Sequence, residues 1–122
     1  LGSHFFLDPI TAELAERIAQ ITPGELQYTF FGNSGAEAVE GALKMARGYT
    51  KRPHYVAAEG AFHGKTYGAL SASGREAYKT PFRPLMEGFT HVPFGDADAL
   101  AAAICHLNTR SSRARWNDSR PV

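Results

Sequence analysis

One cysteine among 122 residues excludes an intrachain disulfide, and a reducing, cytoplasmic setting is the default. That cysteine, Cys105, lies in an Ala-rich run with no activating neighbour, so a catalytic thiol is disfavoured. Charge of one sign is scarce too. A net charge of +1 gives no electrostatic case for a nucleic-acid partner. No apolar run approaches a membrane span, and the opening LGSHFFLDP has no basic segment leading into an apolar one, so neither membrane partner nor secretory signal is expected. No Met opens the chain, which reads as a fragment. The five histidines, His4, His54, His63, His91 and His106, show no metal-ligand spacing, and no metal is expected. What remains is a composition of 43% hydrophobic and 20% charged residues, that of a soluble globular domain.

Asp8-Pro9 has the form of a helix N-cap followed by a first helical residue. Ile10, Leu14, Ile18 and Ile21 then recur at helical spacing until Thr22-Pro23-Gly24. Tyr28–Phe31 reads as a short buried strand. A second helix is predicted from about Gly35 to Gly48, with Ala36, Val39, Leu43 and Ala46 on one stripe and a Glu40–Lys44 pair one turn apart. His54–Ala58 and Thr90–Pro93 read as strands, SASG at 71–74 as a loop or strand end, and Gly95-Asp96 as the cap of a helix through Ile104. Strands alternating with helices predict an α/β fold with a mostly parallel sheet and flanking helices. From 105 to 122 the chain is arginine-rich, with Arg110, Arg113, Arg115 and Arg120, and lacks periodicity. It reads as a disordered, solvated tail, with a basic arm or a stretch foreign to the parent fold as alternatives.

The chemistry concentrates in FFGNSGAEAVEG at 30–41 and GAFHGKT at 60–66. Small residues running into a helix leave its first N–H groups without intrahelical partners, at the positive end of the helix dipole. A phosphate fits there, with Ser34 adding a hydroxyl. Ordinary helix capping by Asn33 and Ser34 explains the same residues equally well. GAFHGKT places an aromatic, an imidazole and a cation between glycines; Phe62 offers a flat face to a planar ligand. GAFHGKT is one residue short of a Walker A loop, and GNSGAE is not a dinucleotide fingerprint.

LDPITAELAERIAQITPGELQYTFFGNSGAEAVEGALKMAR, GAFHGKTYGALSASG and HVPFGD together resemble the class III pyridoxal-phosphate-dependent aminotransferases, most closely the ornithine, acetylornithine and putrescine branch. The resemblance spans residues 5–104 and implies that residues 1–104 are part of the large, cofactor-binding domain of a fold-type I enzyme, with 105–122 standing outside it. It implies that Ser34, Gly35 and Ala36 contact the cofactor phosphate, that Phe62 stacks on the pyridine ring with His63 beside it, and that the full-length protein is a homodimer acting on a small-molecule amine donor and a 2-oxo acid. The position of Lys65 is often Arg in the family, facing the substrate carboxylate in acetylornithine enzymes. Lys cannot form the same two-pronged contact, which leans toward diamine or simple ω-amine substrates; a plain surface cation is the alternative. The family's Schiff-base lysine and the Asp that pairs with the pyridine nitrogen, in a DEVQTG-like segment, have no counterpart in these residues, so no catalytic residue is assigned. The expectation is a fragment of an ω-amine aminotransferase, inactive alone and poorly stable because its sheet is incomplete. The alternative is a non-catalytic phosphate-ligand-binding or interaction module.

Overall fold

The computed structural model describes the backbone of residues 8–118 and the side chains of 8–108. The chain divides into two units, residues 1–31 and 32–122. In the first, α1 spans Pro9–Ile21. The Asp8 carboxylate caps it, accepting from Ile10 N at 3.1 Å and from the Thr11 hydroxyl. Thr22 ends it by turning its hydroxyl back to the Ile18 carbonyl at 3.0 Å. Ile10 and Ile21 are 75% and 83% exposed, so the apolar stripe is present but largely uncovered. Tyr28–Phe31 forms no strand, contrary to the sequence reading; Tyr28 is 99% exposed and Phe30 58%. β-propensity expresses side-chain packing on a neighbouring strand, and no strand pairs with this run among the described residues.

The second unit is α/β. Helix α2 covers Gly35–Thr50. It runs past Gly48, the expected end, and stops at Lys51, whose left-handed backbone (φ 58°) forms the C-cap. Strands β1, Tyr55–Ala58, and β2, Phe89–Val92, pair in parallel with Tyr55 opposite Phe89 and Ala58 opposite Val92. Their rings stack at 5.1 Å between centroids. The Tyr55 hydroxyl donates to the Leu43 carbonyl at 2.6 Å, fastening the sheet to α2. The crossover holds α3 (Tyr67–Ala72), α4 (Glu76–Lys79) and a single 3-10 turn over Thr80–Phe82. Asp96 caps α5, accepting from Ala99 N at 2.8 Å, and α5 extends over Ala97–Asp118. The backbone is therefore helical through Asp118, where the sequence shows no helical periodicity; residues 119–122 lie outside the described residues.

The core is α3 itself. Gly68 to Ala72 are all buried, and Ser73, its C-cap, is fully enclosed. SASG at 71–74 is thus a helix end at the centre of the unit rather than a loop. Small side chains let a neighbouring turn close on it at backbone distance. At Gly74 a Cβ would stand 2.5 Å from the amide nitrogen of Gly60, so the 59–61 turn and the end of α3 touch main chain to main chain.

Candidate functional site

Ser34 is the N-cap of α2, and its Oγ accepts from Glu37 N at 3.2 Å. Glu37 reaches back one step further and accepts from Asn33 N, a variant of the capping box. The amides of Gly35 and Ala36 open the helix without a hydrogen-bond partner among the described residues. Nothing stands within 4 Å of where a Gly35 Cβ would lie, so that end faces open space. Capping and anion readings therefore coexist: the Ser34 oxygen serves Glu37, while two N–H groups and the Ser34 hydroxyl hydrogen stay available.

The segment 60–66 is seated on this helix. Gly64 is buried at φ +130°, and a Cβ there would come 2.7 Å from the Cβ of Ala36. His63 N donates to Ser73 Oγ at 3.1 Å. At the far end, Glu40 Oε1 accepts from the Thr66 hydroxyl at 2.6 Å and from the amides of Gly68 at 2.8 Å and Ala69 at 3.1 Å. The Thr66 bond, more than any other contact, holds the Glu40 carboxyl below its ordinary pKa, with the two amides and the Lys44 charge adding to it against partial burial. The glutamate that in sequence pairs with Lys44 spends its carboxylate on α3 instead. Nothing local signals this, because its partners lie 26 to 29 residues downstream.

The predicted residues separate by side. Phe62 is 58% exposed and meets the Tyr78 ring edge-on at 6.2 Å. With Lys65, Tyr67, Leu70, Tyr78 and Phe82 it lines a cavity of about 700 Å³. His63 lines another of about 640 Å³ with Val39, Leu43, Tyr55 and Phe89. Ser34, Gly35 and Ala36 line neither. The backbone of 60–66 and the helix start are therefore in contact through Gly64 and Ala36, while the Phe62 ring opens to its own cavity. Lys65 shares that cavity and is exposed. No helix is long and apolar enough to cross a membrane, and no cluster of three His, Cys, Asp or Glu side chains suited to a metal occurs, among the described residues.

A helix opened by Ser-Gly, a parallel strand-crossover-strand unit and a glycine-flanked aromatic loop seated on that helix make up an α/β unit with an open helix N-terminus. A family model described as aminotransferase class III matches residues 3–118, and the chain belongs to that family, whose members depend on pyridoxal phosphate. An (S)-enantioselective ω-transaminase from Thermomicrobium roseum is similar, with 34% identity over 91% of this chain and a TM-score of 0.71. A transaminase from the marine bacterium Virgibacillus shares 27% identity over 86% of the chain, TM-score 0.79. The ornithine aminotransferase of Toxoplasma gondii shares 25% over 84%, TM-score 0.74. The chain spans 29%, 27% and 26% of those three chains, less than a third of each.

Proposed function

We propose that this chain carries cofactor contacts of a transaminase that moves an amino group from an ω-amine such as ornithine or putrescine to a 2-oxo acid, and that in full length it works as a cytoplasmic homodimer. The Gly35 and Ala36 amides and the Ser34 hydroxyl donate to the phosphate of pyridoxal phosphate. Phe62 covers the pyridine ring and keeps water from it, and His63 flanks it. Lys65 meets the substrate. The cofactor, when bound, supplies the electron sink for bond breaking beside the amine nitrogen. The 122 residues include neither the lysine that anchors the cofactor in this family nor the Asp that holds its ring nitrogen protonated, so the chain alone does not turn over. The observation that carries this reading is the packing of Gly64 against Ala36, which lays GAFHGKT over a helix start with two available amides. The Toxoplasma relative, whose crystal holds pyridoxal phosphate at partial occupancy in its active site, supports it.

Titration of the 122-residue chain with pyridoxal phosphate is expected to give a saturable absorbance change that inorganic phosphate competes away. A change indifferent to phosphate would mark reaction with exposed lysines and overturn the reading. Robust amine-to-oxo-acid transfer by the chain alone would overturn its inactivity. For Lys65, installing this segment in a complete class III transaminase and making Lys65→Arg is expected to shift donor preference away from simple diamines; unchanged selectivity removes Lys65 from the substrate contacts. A second reading, a phosphate-ligand module with no ring platform, is favoured by the separation of the Phe62 cavity from Ser34–Ala36. It predicts equal affinity for inorganic phosphate and pyridoxal phosphate.

A further inference from the structure

Glu40 stands outside every residue assigned a ligand contact, yet it joins the two segments that carry those contacts. It sits five residues into α2 from Gly35, on the partly buried side. One oxygen, Oε1, takes three donors from the end of the loop and the helix after it: the Thr66 hydroxyl and the amides of Gly68 and Ala69. The approach is close enough that a Cβ on Gly68 would collide with the carboxylate, so the glycine is what admits it. The loop Phe62–Thr66 is then fixed at three points: His63 N on Ser73, the Gly64 backbone on Ala36, and Thr66 on Glu40. Between the last two lies Lys65 alone, and just before the first lies Phe62. Both are exposed, and neither carries a hydrogen bond or ion pair among the described residues.

We propose that Glu40 is a positioning residue for the cofactor: by clasping Thr66 and the start of α3 it holds the 62–66 loop in register with the α2 amides, so that ring platform and phosphate cradle keep one fixed spacing. This rests on the proposed cofactor reading. A charged acceptor shared by three donors in a partly buried place is stronger than a neutral hydrogen bond, and its loss strands all three donors at once. The clasp contributes nothing to a phosphate by itself, because the cradle is built by α2 and Ser34. It matters for a ligand that must meet both segments together.

The test compares two probes on the intact 122-residue chain. Glu40→Ala is expected to bind inorganic phosphate within about twofold of the starting chain and pyridoxal phosphate about tenfold more weakly as the loop loses its register. Glu40→Gln, which keeps an acceptor oxygen of the same reach, is expected to recover most of that loss. Thr66→Val, which removes one donor without touching α2, is expected to fall between. Equal weakening for both probes would mean general damage to the helix and would overturn the proposal, as would undiminished pyridoxal phosphate binding. If the starting chain binds neither probe, the cofactor reading fails separately. Amide exchange then decides the clasp: Gly68 and Ala69 exchange about tenfold faster in Glu40→Ala if it holds, and unchanged rates overturn it.

Discussion

Helices α1 and α3 make opposite use of sequence. Helix α1 has 13 residues, a capped start, an ion pair from Arg17 to Glu13 at 2.7 Å and a regular apolar stripe, yet none of its residues is buried. Helix α3 has six residues, no stripe and a glycine in its first turn, and five of the six are buried. Periodicity records which face a helix is able to bury. Whether that face is covered depends on what else is present. A short run of small residues, by contrast, admits neighbours from all sides, and its stability comes from enclosure and from a carboxylate on another helix rather than from its own propensity.

The sharpest way to break this contrast is at Gly74. Gly74→Val drives a side chain into the main chain of Ala58 and Gly60, neither of which can step aside as a flexible side chain would. The expected cost is about 3 kcal/mol or more, read as loss of the folded population by circular dichroism. A wild-type-like spectrum would mean that α3 is less enclosed than described. Next comes a matched pair. Leu70, 6% exposed, is expected to cost about 2–3 kcal/mol on truncation to Ala, whereas Ile21, 83% exposed, costs under about 0.5 kcal/mol. Pulse proteolysis across a urea series measures both. Equal costs would erase the distinction drawn between the two helices.

Acid gives the mildest effect. The Glu40 carboxyl titrates below its ordinary value of 4.5 in the folded chain, chiefly through the Thr66 hydroxyl. A carboxyl whose folded pKa is depressed stabilises the fold fully above its unfolded pKa. That contribution is lost as pH falls from there through the folded value. Glu76, lowered by Arg83 and Lys79, shares the sign and the ordinary value of 4.5; Asp8, lowered by the Thr11 hydroxyl and the Ile10 amide, shares the sign, and its window opens from its lower ordinary value of 3.8. The amide resonances of Gly68 and Ala69 are expected to move together below pH 4.5 as Glu40 protonates, and to stay still in Glu40→Gln. Independent movement would show that the carboxylate does not bridge them.

Much of the frame was legible in the residues. Asp8-Pro9 and Thr22 marked the ends of α1, Ser34-Gly35 the start of α2, and the two strand runs fell within one residue of β1 and β2. These signals are local: a cap, a turn, a run of β-branched and aromatic residues. Tyr28–Phe31 misled because its hydrophobicity asks for a partner strand that the sequence around it cannot supply. Residues 71–74 misled because Ser, Ala and Gly look like a loop when only propensity is weighed; here their small volume is what a crowded helix end requires. At the candidate site, the Ser34 cap and the glycine-flanked loop were readable. The division of Phe62 from His63 onto different cavities was not, since it depends on how the loop backbone is turned by its anchors.

The β1–β2 pair has a corollary for durability. Each strand is four residues long and borders the other alone among the described residues, so each is an edge and neither is interior. In most α/β proteins the sheet outlasts the helices laid on it. Here the ranking is expected to invert. The amides expected to survive longest in deuterated water are those of α3 and its cap, Leu70 to Ser73, where Leu70 N is bonded to the Thr66 carbonyl and Ser73 N to those of Ala69 and Leu70 in a buried setting, while the half-buried strands beside them are expected to exchange sooner.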